Sequence, residues 1–432
     1  MKKRALMIIG IAAAALVVLA LYLVYINVFV NKHQLKLQHA SYATAELRNV
    51  AAESSILPSY MWGRIENILE DDGYIMSNYI LEGRLATQDA VPSNEFLLTD
   101  QSLLLLKKLT DGDRVKTSSL MKDIIRDFRN EDGSFRSVFK RDGSAPNDYT
   151  TTDELVFLEA YIEYYSAFGN SGDLENIKTL IGIIFDENGM IKPSKQTNDT
   201  YVTSNNVSGE IIDDGAPSFD SVYGSSSSSA DGSENVFEFM GVKISDINLE
   251  LIRNLENNDL LPQGTYEKYE SIVLNSQASG TIPYYAYAYT VNDKGDVDYI
   301  YSRGRAATMS VSESLKTMIN LAKVGKLPDS VYTQFKANMI NDGVLLSSYY
   351  IATGLTGGSE IEQSYSDVML LAALQKDKDL YTTVTKIIGI RVATRQQSRA
   401  LYLVFRIKND RYVFYGEENL KTYLVVKGMF AV

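Results

Sequence analysis

The 432-residue chain contains no cysteine. Disulfides, thiolate catalysis and cysteine-ligated zinc are excluded at once. Histidine is almost as scarce: there are two, His33 and His39, and both follow the hydrophobic N-terminal run. A Ser-His-Asp triad or a histidine-rich metal site cannot be built in the main body of the chain. No G-x-x-x-x-G-K-[ST] occurs, and no G-x-G-x-x-G follows a strand pattern, so no nucleotide fingerprint is present. Basic charge is in deficit as well. The 42 Lys and Arg face 54 Asp and Glu, a net charge of -12, which argues against nucleic acid as a partner. The chemistry left is that of carboxylate, Tyr, Lys and Arg. No cofactor and no metal are expected, and acidic pairs such as Asp71–Asp72 before Gly73 read as turns.

Hydrophobic residues make up 45% of the chain, enough for a large core, and 29 of them are Tyr. MKKR at residues 1–4 reads as a cytoplasmic stub. The apolar run at residues 5–30 is long enough to span a bilayer, for which ~20 residues suffice. The leading Lys2, Lys3 and Arg4 would hold the N-terminus inside. The run exceeds the ~7–15 residues of a signal-peptide core and lacks an A-x-A site, so an uncleaved anchor is expected. Residues 31–40 read as a linker, and residues 41–432 as one extracellular domain.

That domain is mostly helical, with a recurring punctuation. ILEDDGYIMSNYI, FRNEDGSFRSVF, IFDENGMIKPS and MINDGVLLSSYY each run from an apolar helix end through acidic or Asn residues to Gly, then to a short extended stretch. The glycines are Gly73, Gly133, Gly189 and Gly343, which suit the left-handed end of a helix. NLENNDLLPQG reads as a weaker copy, and FRIKNDRYVF as a strand-like sixth. Each interval holds two helices, the mark of a helical-hairpin array. Residues 198–234, with GSSSSSADGSE, read as a flexible insertion. Residues 281–303 read as a β-hairpin turning at NDKG. Tyr285, Tyr287 and Tyr289 would share one face of its first strand, as a packing surface or as an aromatic wall beside a cleft.

The first helices of the pairs open alike: TDQSLLLL, TTDELVFL, SESLKTMI and SDVMLLAAL. Ser or Thr before an acid caps a helix and suits its dipole. The same placement would gather Asp100, Asp153, Glu154, Glu313 and Asp367 at one end of a ring. Paired carboxylates are what glycosidic cleavage requires, one protonated and one ionised.

SNEFLLTDQSLLLLKKL is similar to the S-E-G-x-G-Y-G acid motif of glycoside hydrolase family 8 and the helix after it. NEDGSFRSVFKRDGSAPNDYTTTDELVFLEAY resembles the family's N-G-L-x-x-W, gap and A-T-D-A-D-L. YSRGRAA resembles Y-D-A-x-R-V-P. The likeness runs from about Pro92 to Ser194, with the last motif beyond it. It implies a mainly α, (α/α)6 toroid, which in this chain would carry the β-hairpin insertion and follow the transmembrane helix read above. It implies an inverting, carboxylate-based hydrolase acting on a polysaccharide. Asp100, or nearby Glu95, takes the place of the acid. Asp153 or Glu154 takes that of the Asp-Leu pair, and Tyr301 and Arg305 match the third motif, with Tyr285 and Tyr287 as further sugar contacts. Ser302 stands where the family has its base, leaving Asp298 or Asp367 to substitute. Gln101 and Leu103 replace loop glycines. The alternative is an inactive relative that binds polysaccharide or assists its export beside a synthase. A ring that only binds protein is a third reading.

Overall fold

A computed structural model describes residues 2–25, 35–41, 45–81, 90–198, 237–279, 282–292, 294–301, 308–351, 353–396, 398–409 and 411–428. Fourteen helices follow in order: α1 (Lys2–Tyr25), α2 (Ala45–Glu53), α3 (Pro58–Arg64), α4 (Leu98–Thr110), α5 (Arg114–Phe128), α6 (Thr151–Phe168), α7 (Ser171–Ile184), α8 (Leu249–Asn257), α9 (Thr265–Asn275), α10 (Val311–Lys323), α11 (Asp329–Asp342), α12 (Tyr365–Leu374), α13 (Lys378–Ile390) and α14 (Gly416–Lys427).

Even-numbered helices from α4 onward form an inner set. They are buried almost all round, as LTDQSLLLLKKLT and YSDVMLLAAL foreshadow. α4 touches α6, α8 touches α10, α10 touches α12, α12 touches α14, and α14 returns to α4. α6 meets the short 3-10 turn Ile244–Asp246 that leads into α8. Outside them, α5, α7, α9 and α13 pack on the inner helices that precede them, while α14 packs on α2 and α3 from the other end of the chain.

One contact recurs wherever an outer helix gives way to the next inner one. An apolar residue in the extended turn offers its backbone N–H to a polar side chain near a helix start. Ile75 donates to Gln101 at 2.9 Å, Phe135 to Glu154 at 3.1 Å and Tyr285 to Ser314 at 3.1 Å. Leu345 donates to Tyr365 at 3.1 Å and Val404 to Asn419 at 2.8 Å, while Ile191 donates to the Tyr269 hydroxyl. Gln101 and Asn419 also return a bond to the carbonyl of the residue they clamp, at 2.8 and 3.0 Å. The glycines of the sequence punctuation make these turns possible. Gly133 and Gly189 have φ of +92° and +77°, and a Cβ on them would meet Thr179 at 2.9 Å and Thr265 at 2.6 Å.

Several expectations change. NLENNDLLPQG is the turn inside the α8–α9 pair, so it is not a copy of the punctuation. The sixth junction, near Phe405, is strand-like as read: Arg406–Lys408 pairs antiparallel with Arg411–Tyr415. The β-hairpin is shorter than expected, Ala288–Val291 with Val297–Ile300, turned where Asn292 accepts from the amides of Lys294 and Asp296 at 3.0 Å. Tyr285 belongs to a separate ribbon, Ile282–Tyr285 with Gln277–Ser279, because the chain breaks direction at Ala286 and Tyr287. The tyrosines therefore share no single face. The insertion at 198–234 lies outside the described residues apart from Asn198.

α1 is 24 residues long, and its described side chains, Ala13 to Val24, are all exposed. Among the described residues no helix is long and apolar enough to cross a membrane. Residues 31–40 are not simply a linker: from Leu35 onward the chain is docked on the domain, as set out below.

Candidate active site

Six inner-helix starts surround a cavity of about 470 Å³. Each contributes to its wall: Thr99 on α4, Thr152 and Asp153 on α6, Ser245 and Asp246 before α8, Lys316 on α10, Asp367 on α12, and Glu417 and Lys421 on α14. Along α6 the lining continues to Glu159 and Glu163, so the cavity is roughly 16 Å deep at 1.5 Å per helical residue.

Asp153 is both a helix-start residue and a cavity residue. Its amide donates to the Thr150 hydroxyl at 3.1 Å, and that hydroxyl donates back to its carboxylate at 2.7 Å. Thr150 thereby caps α6 and fixes the Asp153 rotamer. The next side chain, Thr152, donates to both carboxylate oxygens of Asp246 at 3.0 Å. Asp153 and Asp246 thus both line the cavity, with Thr152, the sequence neighbour of Asp153, bonded to Asp246. Burial pushes the Asp246 carboxyl up to about 6 and Glu313 adds to this, against Lys243, the Thr152 bond and Lys316. On the opposite side Lys421 lies 3.3 Å from Asp367 and 2.9 Å from Glu417. Lys421 holds Glu417 below the usual carboxylate range, so Glu417 stays ionised.

The deep end is different. Lys323 lies 2.8 Å from Glu159 and 3.8 Å from Glu250, and His39 lies 3.2 Å from Glu163. Burial, with Glu159 and Glu250, pushes Glu163 up to about 8. Burial also holds His39 below its ordinary value. Both shifts favour the uncharged forms of the pair.

The other expected residues are not gathered here. Asp100 is fully buried, without a hydrogen-bond partner among the described residues, and does not line the cavity. A Cβ on Gly416 would come within 3.2 Å of its carboxylate. Burial raises its carboxyl well above the usual range, with Glu417 and Asp153 acting in the same direction and Lys421 against. Glu95 sits on the strand Glu95–Leu97, ion-paired to Lys140 at 2.8 Å and away from the lining. Glu154 is the clamp on Phe135. Glu313 lies behind Ser245, which donates to it. Tyr285 and Tyr301 are packed in the main core, and Tyr287 in a satellite cluster with Phe239 and Ile300. Asp298 lies on the hairpin strand Val297–Ile300, off the wall. Arg305 and Ser302 lie outside the described residues. Asp246 carries the same Ser-acid signal as the other helix starts, in ISDINLELI, but it follows the serine-rich insertion, where the hairpin rhythm is lost.

Among the described residues no cluster of potential metal ligands occurs. No protein-family model matches the sequence, and no curated protein matches it. Solved structures do. A novel alpha-amylase from Clostridium perfringens superposes with a TM-score of 0.61 at 17% identity, over 86% of this chain and 98% of that one. A double mutant of Rex8A from Paenibacillus barcinonensis gives 0.52 at 11% identity, over 91% and 97%. PssZ from Listeria monocytogenes gives 0.51 at 8%, over 90% and 97%. The fold is glycoside hydrolase family 8-like. Across this six-hairpin fold the inner-helix starts of the present chain converge on the cavity just described.

Proposed function

We propose that this chain is a glycoside hydrolase that acts on a polysaccharide, with Asp246 as general acid and Asp153 as the base that activates water. The observation that carries it is that both carboxylates line the same cavity, where Thr152, next to Asp153 in the chain, bonds Asp246. The raised Asp246 carboxyl is protonated in mildly acidic solution, as leaving-group protonation requires. Attack of water opposite the leaving group would invert the anomeric centre. On this reading the six inner helices close into an (α/α)6 ring. The N-terminal segment, whose exposed face includes Leu16, Val17, Leu19 and Leu23, anchors the enzyme in the cell membrane with the bulk outside.

The test is incubation of the full chain in detergent with α-glucans, xylo-oligosaccharides and β-glucans. The alpha-amylase and Rex8A, seen with xylose, motivate the first two. New reducing ends that vanish in Asp246→Asn support the reading; none on any substrate contradicts it. A second reading, polysaccharide binding without turnover beside an export synthase, is favoured by the sealed position of Asp100 and by Ser302 in place of the family base. Saccharide binding without cleavage would select it.

A further inference from the structure

Residues 35–41 lie extended between α6 and α8. Their exposure alternates: Leu35, Leu37 and His39 turn inward, while Lys36 and Gln38 face out. The backbone of Lys36, Gln38 and half-buried Ala40 is held by side chains of α8 and of Asn258, which caps its C-terminus. Lys36 N–H donates to Asn258 at 2.9 Å, Gln38 N–H to Asn254 at 2.8 Å and Ala40 N–H to Glu250 at 2.7 Å. The two asparagines return bonds to the carbonyls of Lys36 and Gln38, both at 3.1 Å. On the other side Ser166 of α6 donates to the Leu35 carbonyl at 3.1 Å.

The match is one of periods. Two residues of extended chain advance about 6.6 Å, and four residues of helix about 6.0 Å. Steps of two along the strap therefore stay in register with steps of four along α8. Such pairing commits five backbone groups to partners on one helix, which is far more than a passing linker makes. The inward set does two jobs. Leu35 and Leu37 pack on the main core, and His39 reaches the cavity wall at Glu163.

We propose that the Leu35–Ser41 strap is a fixed wall of the cavity, closing the seam between α6 and α8, and that His39 is the specificity-determining residue at its blind end. A saccharide then enters only from the helix-start mouth, and His39 sets how many sugar units fit beyond Asp153 and Asp246. The second half of this statement rests on the hydrolase reading; the first does not.

The absence of cysteine makes the test direct. In the full chain, His39→Cys and Ser41→Cys are each the sole thiol. Ser41 is exposed, so its thiol should react with a bulky maleimide at least 100-fold faster than that at position 39. Adding Asn254→Leu and Asn258→Leu should abolish this difference and speed amide exchange at Lys36, Gln38 and Ala40 by a similar factor. Equal labelling of the two thiols before the asparagines are changed, or unprotected amides at 36, 38 and 40, overturns the wall. For the blind end, His39→Ala should shift the products of oligosaccharide cleavage to one unit longer, with the other variants' folding monitored by thermal melting. Unchanged product length with a protected thiol overturns the role of His39 alone. Protection of the thiol without any saccharide cleavage leaves the wall standing and counts against the hydrolase reading.

Discussion

The backbone amide of Phe135 donates to the carboxylate of Glu154 at 3.1 Å, both groups sealed from solvent. Burial pushes the Glu154 carboxyl up to about 7. Because this folded-state value lies above that of an unfolded Glu, the stability it contributes is complete below about pH 4.5 and is lost as pH rises through about 7. Glu154→Gln keeps the acceptor and removes the titration. Its melting temperature should fall less than that of the parent between pH 5 and 8. Glu154→Leu strands the Phe135 amide and should cost about 1–3 kcal/mol in denaturant unfolding below about pH 4.5, and less as pH rises through about 7.

The clamps at other junctions behave alike. Gln101→Leu frees both the amide and the carbonyl of Ile75, which the side chain now holds at 2.9 and 2.8 Å. A loss on the order of 3 kcal/mol is expected by denaturant titration. Asn419→Leu, which frees Val404 in the same way, should cost a comparable amount. A surface change such as Lys122→Ala should cost under about 0.5 kcal/mol.

Asp100 separates family likeness from local geometry. As the acid of the resemblance, its conversion to Asn would cost about 10²–10⁴ in turnover. Its place behind Gly416 predicts otherwise: Asp100→Asn should keep turnover within about threefold. It should also keep or raise stability above neutral pH, since an uncompensated buried carboxyl is removed. Steady-state rates and thermal melts of the variant check both.

The pH dependence follows from Asp246. Burial pushes its carboxyl up to about 6, and in the proposed role of general acid its protonated form is the active one. The rate constant kcat/KM should therefore fall as pH rises through about 6. Thr152→Val removes a bond that favours the ionised form, so that limb should move to higher pH. A profile in which the limb stays put would mean that another group is the acid.

Much of this was legible beforehand, and the physics shows why the rest was not. Gly-centred turns are local: a left-handed residue after a helix leaves its mark in four or five letters, and Gly73, Gly133, Gly189 and Gly343 all sit at positive φ. Helix starts are local too, which is why TTDEL marks a helix start and narrows the wall residue to Asp153 or Glu154. Whether an acid faces a cavity or lies behind the wall is decided by neighbours distant in sequence. Asp100 is fully buried off the lining, with Gly416 close to its carboxylate, and Glu154 accepts from the Phe135 amide. A bend at Ala286 and Tyr287 breaks the alternation of the hairpin tyrosines, which looks continuous in sequence. The docking of residues 35–41 depends on an i, i+4, i+8 row of polar side chains on α8, Glu250, Asn254 and Asn258. Only the partner helix reveals what that row is for.

The role of Asp246 is tested most directly by leaving-group dependence. Asp246→Asn should lose about 10²–10⁴ of the parent's kcat/KM on a natural oligosaccharide, whose departing alcohol needs a proton. On the matching dinitrophenyl glycoside, whose leaving group needs none, it should lose less than about tenfold. Equal losses on both substrates, or none on either, would contradict the assignment of Asp246 as the acid.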